Sequence, residues 1–168
     1  MQEIARKPNY DFNKDILVAR TTEDQIIQYL TQKQDMEFLC KVEDDSEARL
    51  SDYDIKMKIN KFNKIITIEI KEDFLCRKTG NVGVEYGCRG KPSGIMTSKS
   101  DFYVYKVHEP ENKIGLYAIN TNRLKDMIKE NLYFRKVVGG DPGSNSKNYL
   151  FKLKVIKDNF KLLDYLEE

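Results

Sequence analysis

Apolar positions recur along this chain with two different periods. Between residues 22 and 39, Ile26, Ile27, Leu30, Met36 and Leu39 fall in a rough stripe of helical spacing. Thr22, followed by Glu23 and Asp24, has the form of an N-cap with acids in the first turn. A helix over 22–39 is predicted, after a mixed stretch 1–20, and the acidic run 42–47 reads as a loop. The period then changes to two. Tyr53, Ile55, Met57 and Ile59 alternate with Asp54, Lys56 and Lys58, and residues 64–71, Lys-Ile-Ile-Thr-Ile-Glu-Ile-Lys, are β-branched and alternate toward their end. Residues 60–63 between them read as a hairpin turn.

The second half mixes both periods. A third strand is predicted over 81–86, entered through Thr79-Gly80-Asn81, followed by a Gly/Pro-rich loop at 90–94. Thr97 or Ser98 then caps a short helix that carries Asp101. Strands are expected over 103–107 and 115–119, and a helix over 121–130, capped by Thr121, with Leu124, Met127 and Ile128 inward. Residues 139–146 form a long loop, 149–156 a last strand, and the tail to 168 a helix. The whole is an α/β chain of the α+β kind: one domain over 1–168, with helices and strands around a central sheet.

Composition narrows the classes. The 168 residues are 40% hydrophobic and 33% charged, enough for one packed core and unlike a disordered chain. No apolar run approaches the roughly 18–20 residues that span a bilayer, and the first residues lack the apolar stretch of a signal peptide, so an intracellular protein is expected. Cys40, Cys76 and Cys88 show no CxxC spacing and are joined by one histidine, His108, which speaks against a Cys/His zinc site and against His-dependent triads. His108 itself reads as an ordinary surface residue. The chemistry left is that of carboxylates, lysine and a bound metal.

Net charge is only +2, but it is unevenly spread. Residues 22–54 hold ten acids against three bases, residues 77–106 six bases against two acids, and residues 121–154 eight bases against three acids. An acidic first third and a basic remainder suggest a polyanion partner, unless folding mixes the charges in space.

Candidate chemistry lies in Asp52-Tyr53-Asp54-Ile55 and Ile68-Glu69-Ile70-Lys71. If these strands pair, Asp54 points away from the apolar face held by Tyr53 and Ile55, and Glu69 and Lys71 share one face of their own strand. The three side chains then converge where the sheet meets solvent. Two close carboxylates raise one pKa or attract a divalent cation, and Mg²⁺ favours few carboxylates plus water and phosphate oxygens. The lysine would hold or help deprotonate the attacking water.

At these residues the chain resembles the PD-(D/E)XK nuclease superfamily: an acid on one strand, Asp54, then Glu-x-Lys on the next, Glu69-Ile70-Lys71, with 14 residues between Asp54 and Glu69. Tyr53 stands where the family name has proline. Residues 71–73, Lys78 to Tyr86, Gly90 to Ile95 with Thr97 and Asp101, and Asp141 to Ser146 resemble a phage-type group of this superfamily. Members of that group, where assigned, are likened to Holliday-junction resolvases or other structure-specific endonucleases. The resemblance covers roughly 22–146.

It implies a restriction-endonuclease-like mixed sheet flanked by helices, a Mg²⁺- or Mn²⁺-dependent phosphodiester hydrolase acting on DNA, and a phage or mobile-element origin. It implies Asp54 and Glu69 as metal ligands with the Ile70 carbonyl as a third, Lys71 beside the attacking water, and an acid from the preceding helix. Glu23 is the candidate for that acid, with Asp24 its competitor. A homodimer is implied by the paired cuts of resolvases. The competing reading is a catalytically inactive module of the same fold that binds DNA or a protein.

Further candidates carry two readings each. Glu85 is a further metal or water ligand, or a partner for Lys71 or Arg89. Ser93, Thr97 and Ser98 offer hydroxyls or N–H groups at a helix start to a phosphate, or are simple caps and turns. Arg89, Lys91 and Lys99 would sit near that phosphate, or form a solvated basic face. Lys56 contacts phosphate or solubilises a sheet edge, and Lys147 joins the 139–146 loop against a DNA backbone or none. Phe102, Tyr103, Tyr105, Tyr133 and Phe134 could stack on bases, but at strand spacing they read as core.

Overall fold

The computed structural model describes residues 12–42, 53–140 and 143–167, with the side chains of residues 12–17 outside that description. Helix α1 (Phe12–Lys33) ends where Asp35 turns left-handed at φ 50°, and the chain passes directly into strand β1 (Met36–Lys41). With β2 (Ile55–Ile59) and β3 (Lys64–Asp73), β1 forms an antiparallel meander. The β2–β3 connection is one 3₁₀ turn, Asn60–Phe62, closed by Asn63 at φ 48°. After the short helix α2 (Cys76–Thr79), the chain leaves this sheet for β4 (Asn81–Cys88) and β5 (Lys91–Pro92). A 3₁₀ turn, Gly94–Met96, leads back to β6 (Phe102–Glu109), which pairs parallel with β3 and places Tyr103 opposite Glu69.

Strand β7 (Lys113–Asn120) runs antiparallel to β6, and helix α3 (Thr121–Lys129) follows. Strands β8 (Arg135–Gly139) and β9 (Ser146–Lys152) build onto β4, helix α4 (Leu153–Asn159) turns back, and β10 (Lys161–Leu166) pairs with the outer edge of β7. The result is a mixed six-stranded sheet, ordered β1-β2-β3-β6-β7-β10, and a second antiparallel sheet, ordered β5-β4-β9-β8.

Strand alternation divides the interior in two. Ile66, Ile68 and Ile70 of β3, with Ile55, Met57, Val104 and Leu116, face α1 and bury Ile26 and Leu30. The opposite face of the sheet carries Tyr103, Tyr105, Val107, Tyr117 and Ile119, packed on Val82, Val84 and Phe151 of the second sheet and on Leu124, Met127 and Ile156 of α3 and α4. Glu69 and Lys71 lie on this second face, where the two sheets begin to part.

Several expected elements change. The helix predicted over 22–39 stops at Lys33, and Thr22 is no cap: it lies inside α1, buried, with its hydroxyl donating to the Glu72 carboxylate at 2.9 Å. Met36 and Leu39, which had completed the helical stripe, belong to β1, because β2 offers an open edge and Asp35 tolerates the left-handed turn. No helix starts at Thr97 or Ser98. Asp101 instead clamps the start of the β3–β6 pairing, accepting from the Thr67 N–H at 2.9 Å. The cap of α3 is Asn120, which accepts from the Asn122 and Arg123 N–H groups, and not Thr121.

The strand predicted over 149–156 ends at Lys152, and Ile156 is buried on α4. The tail expected to be helical forms β10. The acidic run 43–47 and the pair Asp141-Pro142 of the expected loop lie outside the described residues. Among the described residues no helix is long and apolar enough to cross a membrane.

Candidate active site

The site is built where β2 enters the sheet. Asp54 immediately precedes β2: its N–H donates to the Ile68 carbonyl at 3.0 Å and its own carbonyl accepts from Val42 at 2.9 Å, so the backbone is held on both sides. With Ile55 and Met57 buried against α1, alternation turns Asp54 to the other face, the one that carries Glu69 and Lys71. Its carboxylate accepts from the Ile70 N–H at 2.7 Å. Lys71 Nζ lies 2.7 Å from Glu69 Oε1, with the lysine side chain 37% and the glutamate 14% exposed.

These three side chains, with Tyr53, Glu85, Gly94, Thr97 and Ser98, line one polar cavity of about 210 Å³ between the two sheets. Glu85 comes from β4 in the second sheet. Its two oxygens accept from Ser93 Oγ and Ser146 Oγ, each at 3.0 Å, so its observed partners are serines and neither Lys71 nor Arg89. Gly94 reaches φ 54° directly against the Glu85 carbonyl, and a Cβ there would overlap that oxygen. This close approach of turn to strand brings Thr97 and Ser98 to the rim.

The charges interact. Burial raises the Asp54 pKa above the ordinary aspartate value, the nearby Glu23 charge adds to the rise, and Lys71 and the Ile70 N–H oppose it. For Lys71, burial alone would lower the pKa, but the Glu69 and Asp54 carboxylates outweigh it and the lysine is held protonated. Glu23 is partly buried on α1 and raised above its ordinary value, chiefly by burial and against the pull of Lys41. Its carboxylate is 3.7 Å from Lys41 Nζ, whereas Asp24 is largely exposed and paired with the same lysine. Of the two helix acids, Glu23 is therefore the one whose charge reaches Asp54, although it is not among the residues lining the cavity.

The other candidates are spread around this centre. Lys56 lies over the Tyr53 ring, 5.6 Å from its centroid, at the cavity's edge. Ser93 is engaged with Glu85, and Thr97 lines the cavity. Lys99 lines an adjoining polar cavity of about 310 Å³ that shares Ser98 and includes Thr121, Asn122 and Lys125. Lys91 and Lys147 flank a third cavity, beside Tyr86 and Cys88. Arg89 is exposed at a left-handed turn whose N–H donates to the Ser144 carbonyl. His108, expected at the surface, is largely buried on the α1 side of the sheet, stacked on Phe74 and 3.4 Å from Glu72.

Sequence reasoning gave no site role to Tyr53 or Gly94, and read Tyr103, weighed there for base stacking, as core. Only the positive φ required at Gly94 has a sequence signal, as one of the glycines of the 90–94 loop.

Among the described residues no three His, Cys, Asp or Glu side chains are gathered closely enough to hold a metal ion by themselves. Mg²⁺ asks for less, since one or two carboxylates with water and substrate oxygens suffice. Asp54 and Glu69 on one polar cavity, with a lone lysine between them and Glu23 nearby, fit that demand in number and in charge. No protein-family model, curated protein or solved structure matches the chain.

Proposed function

We propose that this protein is a metal-dependent endonuclease that hydrolyses phosphodiester bonds in DNA, with branched DNA as its preferred substrate, in the manner of the PD-(D/E)XK superfamily. The observation that carries this reading is the convergence of Asp54, Glu69 and Lys71 on one polar cavity, from two adjacent strands. Asp54 and Glu69 would hold Mg²⁺ or Mn²⁺, with the Ile70 carbonyl as third protein ligand. When bound, the metal would supply charge to the phosphate and lower the pKa of a water.

The chain's own residues set the rest. The Ile70 N–H fixes the Asp54 carboxylate. Lys71, held protonated by its two acidic neighbours, is a donor and a positive charge, not a base. It orients the attacking water and meets negative charge that grows on the phosphate oxygens. Deprotonation of that water therefore falls to a carboxylate or to solvent, and Glu23, with a pKa lifted by burial, is the nearby group suited to it. A symmetric homodimer would place two such sites for paired cuts.

One observation favours the inactive DNA-binding module instead: Glu69 is already neutralised by Lys71 at 2.7 Å. A single assay separates the two. The protein is incubated with Mg²⁺ or Mn²⁺ and linear, nicked, forked and four-way DNA, beside Lys71→Ala. The nuclease reading expects cleavage, strongest on branched DNA, and a loss on the order of 10²-fold or more in the variant. Cleavage equal in the variant overturns the mechanism, and binding without cleavage of any substrate favours the module.

A further inference from the structure

Three tyrosines of β6 and β7 are buried almost completely: Tyr103, Tyr105 and Tyr117. Two have partners. The Tyr105 hydroxyl donates to the Gly83 carbonyl at 3.3 Å, and that of Tyr117 to the Glu109 carboxylate. Tyr103 is 1% exposed, and its hydroxyl is the one buried side-chain polar atom among the described residues without a hydrogen-bond partner. A buried unsatisfied hydroxyl is costly and uncommon, and phenylalanine would fill the same volume without it.

Its position gives the hydroxyl a use. Tyr103 stands opposite Glu69 in the parallel β3–β6 register, on the same face of the sheet. The groups whose charges or dipoles act on the phenol are Ser98, Glu69, Lys71 and Asp54, all of which line the polar cavity. Ser98 lies beside the phenol, where its hydroxyl acts on the phenol oxygen and lowers the pKa without taking the phenol's proton, and it is also bonded at 2.8 Å to Ser100, which continues to Thr121 at 3.2 Å. Burial lifts the phenol's pKa to about 12, so at neutral pH it carries its proton and is a donor. An unused donor beside a cavity of carboxylates is complementary to an incoming acceptor that brings its own negative oxygens.

We propose that Tyr103 is a ligand-contacting residue of this site, whose hydroxyl donates to a non-bridging oxygen of a bound phosphate that enters beside Ser98. The inference rests on the phosphodiester reading above for the identity of the ligand, and it adds a residue that neither the strand motif nor its spacing includes. The donor is uncharged and held by the sheet, so it can recognise the phosphate without adding to the charge of Lys71.

The test is Tyr103→Phe, which removes one oxygen and leaves the ring. Binding of a labelled four-way DNA in Ca²⁺ and cleavage of the same DNA in Mg²⁺ are measured for both proteins, with thermal unfolding of each free protein. The expected result is an unfolding midpoint equal to or above that of the native chain, together with binding, cleavage or both weakened on the order of tenfold or more. A variant that binds and cleaves like the native protein overturns the role of Tyr103 and leaves the nuclease reading standing. Native protein that binds without cleaving, with binding weakened in the variant, supports Tyr103 and overturns the nuclease reading alone. Native protein that neither binds nor cleaves overturns both. A midpoint that falls with the loss of binding assigns the hydroxyl to the fold, and that too overturns the proposal.

Discussion

Asp54 sits in a conflict that its neighbours only partly relieve. Burial and the Glu23 charge raise its pKa, and the Lys71 ammonium and the Ile70 N–H do not bring it back. With the folded-state value above the unfolded one, the native chain still holds a proton that the unfolded chain has released in the window between them. The stability tied to this group is therefore complete below the unfolded value, near pH 4, and is lost as pH rises through the folded value. At neutral pH the ionised carboxylate costs stability, the usual signature of a group kept for what it binds. Asp54→Asn keeps an oxygen that accepts from the Ile70 N–H. Its melting temperature at pH 7 is expected to equal or exceed that of the native protein, with the advantage vanishing below about pH 4, while metal-dependent cleavage is lost. Thermal melts across pH check this, and a drop of about 3 °C or more at pH 7, roughly 1 kcal/mol for a chain of this size, contradicts it. Lys71 is shifted in the same direction but in a higher pH window: its pKa is raised, so its charge contributes stability throughout the neutral range and that stability is lost only at strongly alkaline pH.

At the scale of elements, the cavity depends on how closely the 3₁₀ turn Gly94–Met96 approaches β4. Gly94 is left-handed and sits against the Glu85 carbonyl, whereas Gly80, also left-handed at φ 70°, faces open space. Gly94→Ala is expected to cost about 2–3 kcal/mol, from backbone strain and overlap together, and to displace Thr97 and Ser98 from the cavity. Gly80→Ala, with strain alone, is expected to cost about 1 kcal/mol. Urea midpoints at constant slope measure both, and equal costs would mean that the Glu85 contact is not what fixes the turn. Strands β2 and β3 were legible because their alternation is clean: Ile55, Met57 and Ile59, then Ile66, Ile68 and Ile70, determine which face Asp54, Glu69 and Lys71 occupy. The elements misread are those whose partner is remote. Met36-Glu37-Phe38-Leu39-Cys40-Lys41 and Lys161-Leu162-Leu163-Asp164-Tyr165-Leu166 suit either period, and the open edges of β2 and β7 decide them as strands. Arg135–Gly139 gives no alternation at all, since Val138 is exposed, and it is a strand only because β9 lies beside it. The same reason hides half the site. Glu69 and Lys71 are two residues apart, but Glu85, weighed from the sequence as a further ligand, reaches them from the second sheet and Gly94 and Ser98 from the turn that follows it, and no local pattern announces the meeting of two sheets.

For the molecule as a whole, folding gathers acids at this cavity and lysines around it without following the division along the sequence, since Glu69 and Glu85 come from outside the acidic stretch 22–54. The cavity lining holds three carboxylates against Lys71, while Lys56 stands at its edge, Lys99 and Lys125 line the adjoining cavity, and Lys91 and Lys147 flank the next. An acidic centre with basic flanks suits a polyanion whose scissile phosphate is met with a cation at the centre while its neighbouring phosphates are met by lysine. Such binding weakens with salt in proportion to the phosphates neutralised, each worth close to one unit of slope in a plot of log affinity against log salt. Lys91 and Lys147 are both exposed, and the pair Lys91→Ala, Lys147→Ala is expected to reduce that slope by roughly two on duplex arms and to leave the unfolding midpoint unchanged. Lys61, in the β2–β3 turn and over the Phe62 ring, lies eight residues from Glu69 along β3 and its turn, and Lys61→Ala is expected to leave the slope as it was. Fluorescence anisotropy in Ca²⁺ at a series of salt concentrations reads all three proteins. A double variant with the native slope would remove the β4–β5 flank from the binding surface and leave the lysines around Ser98 and Tyr53 as the ones that carry the backbone, because only they adjoin the acidic cavity directly.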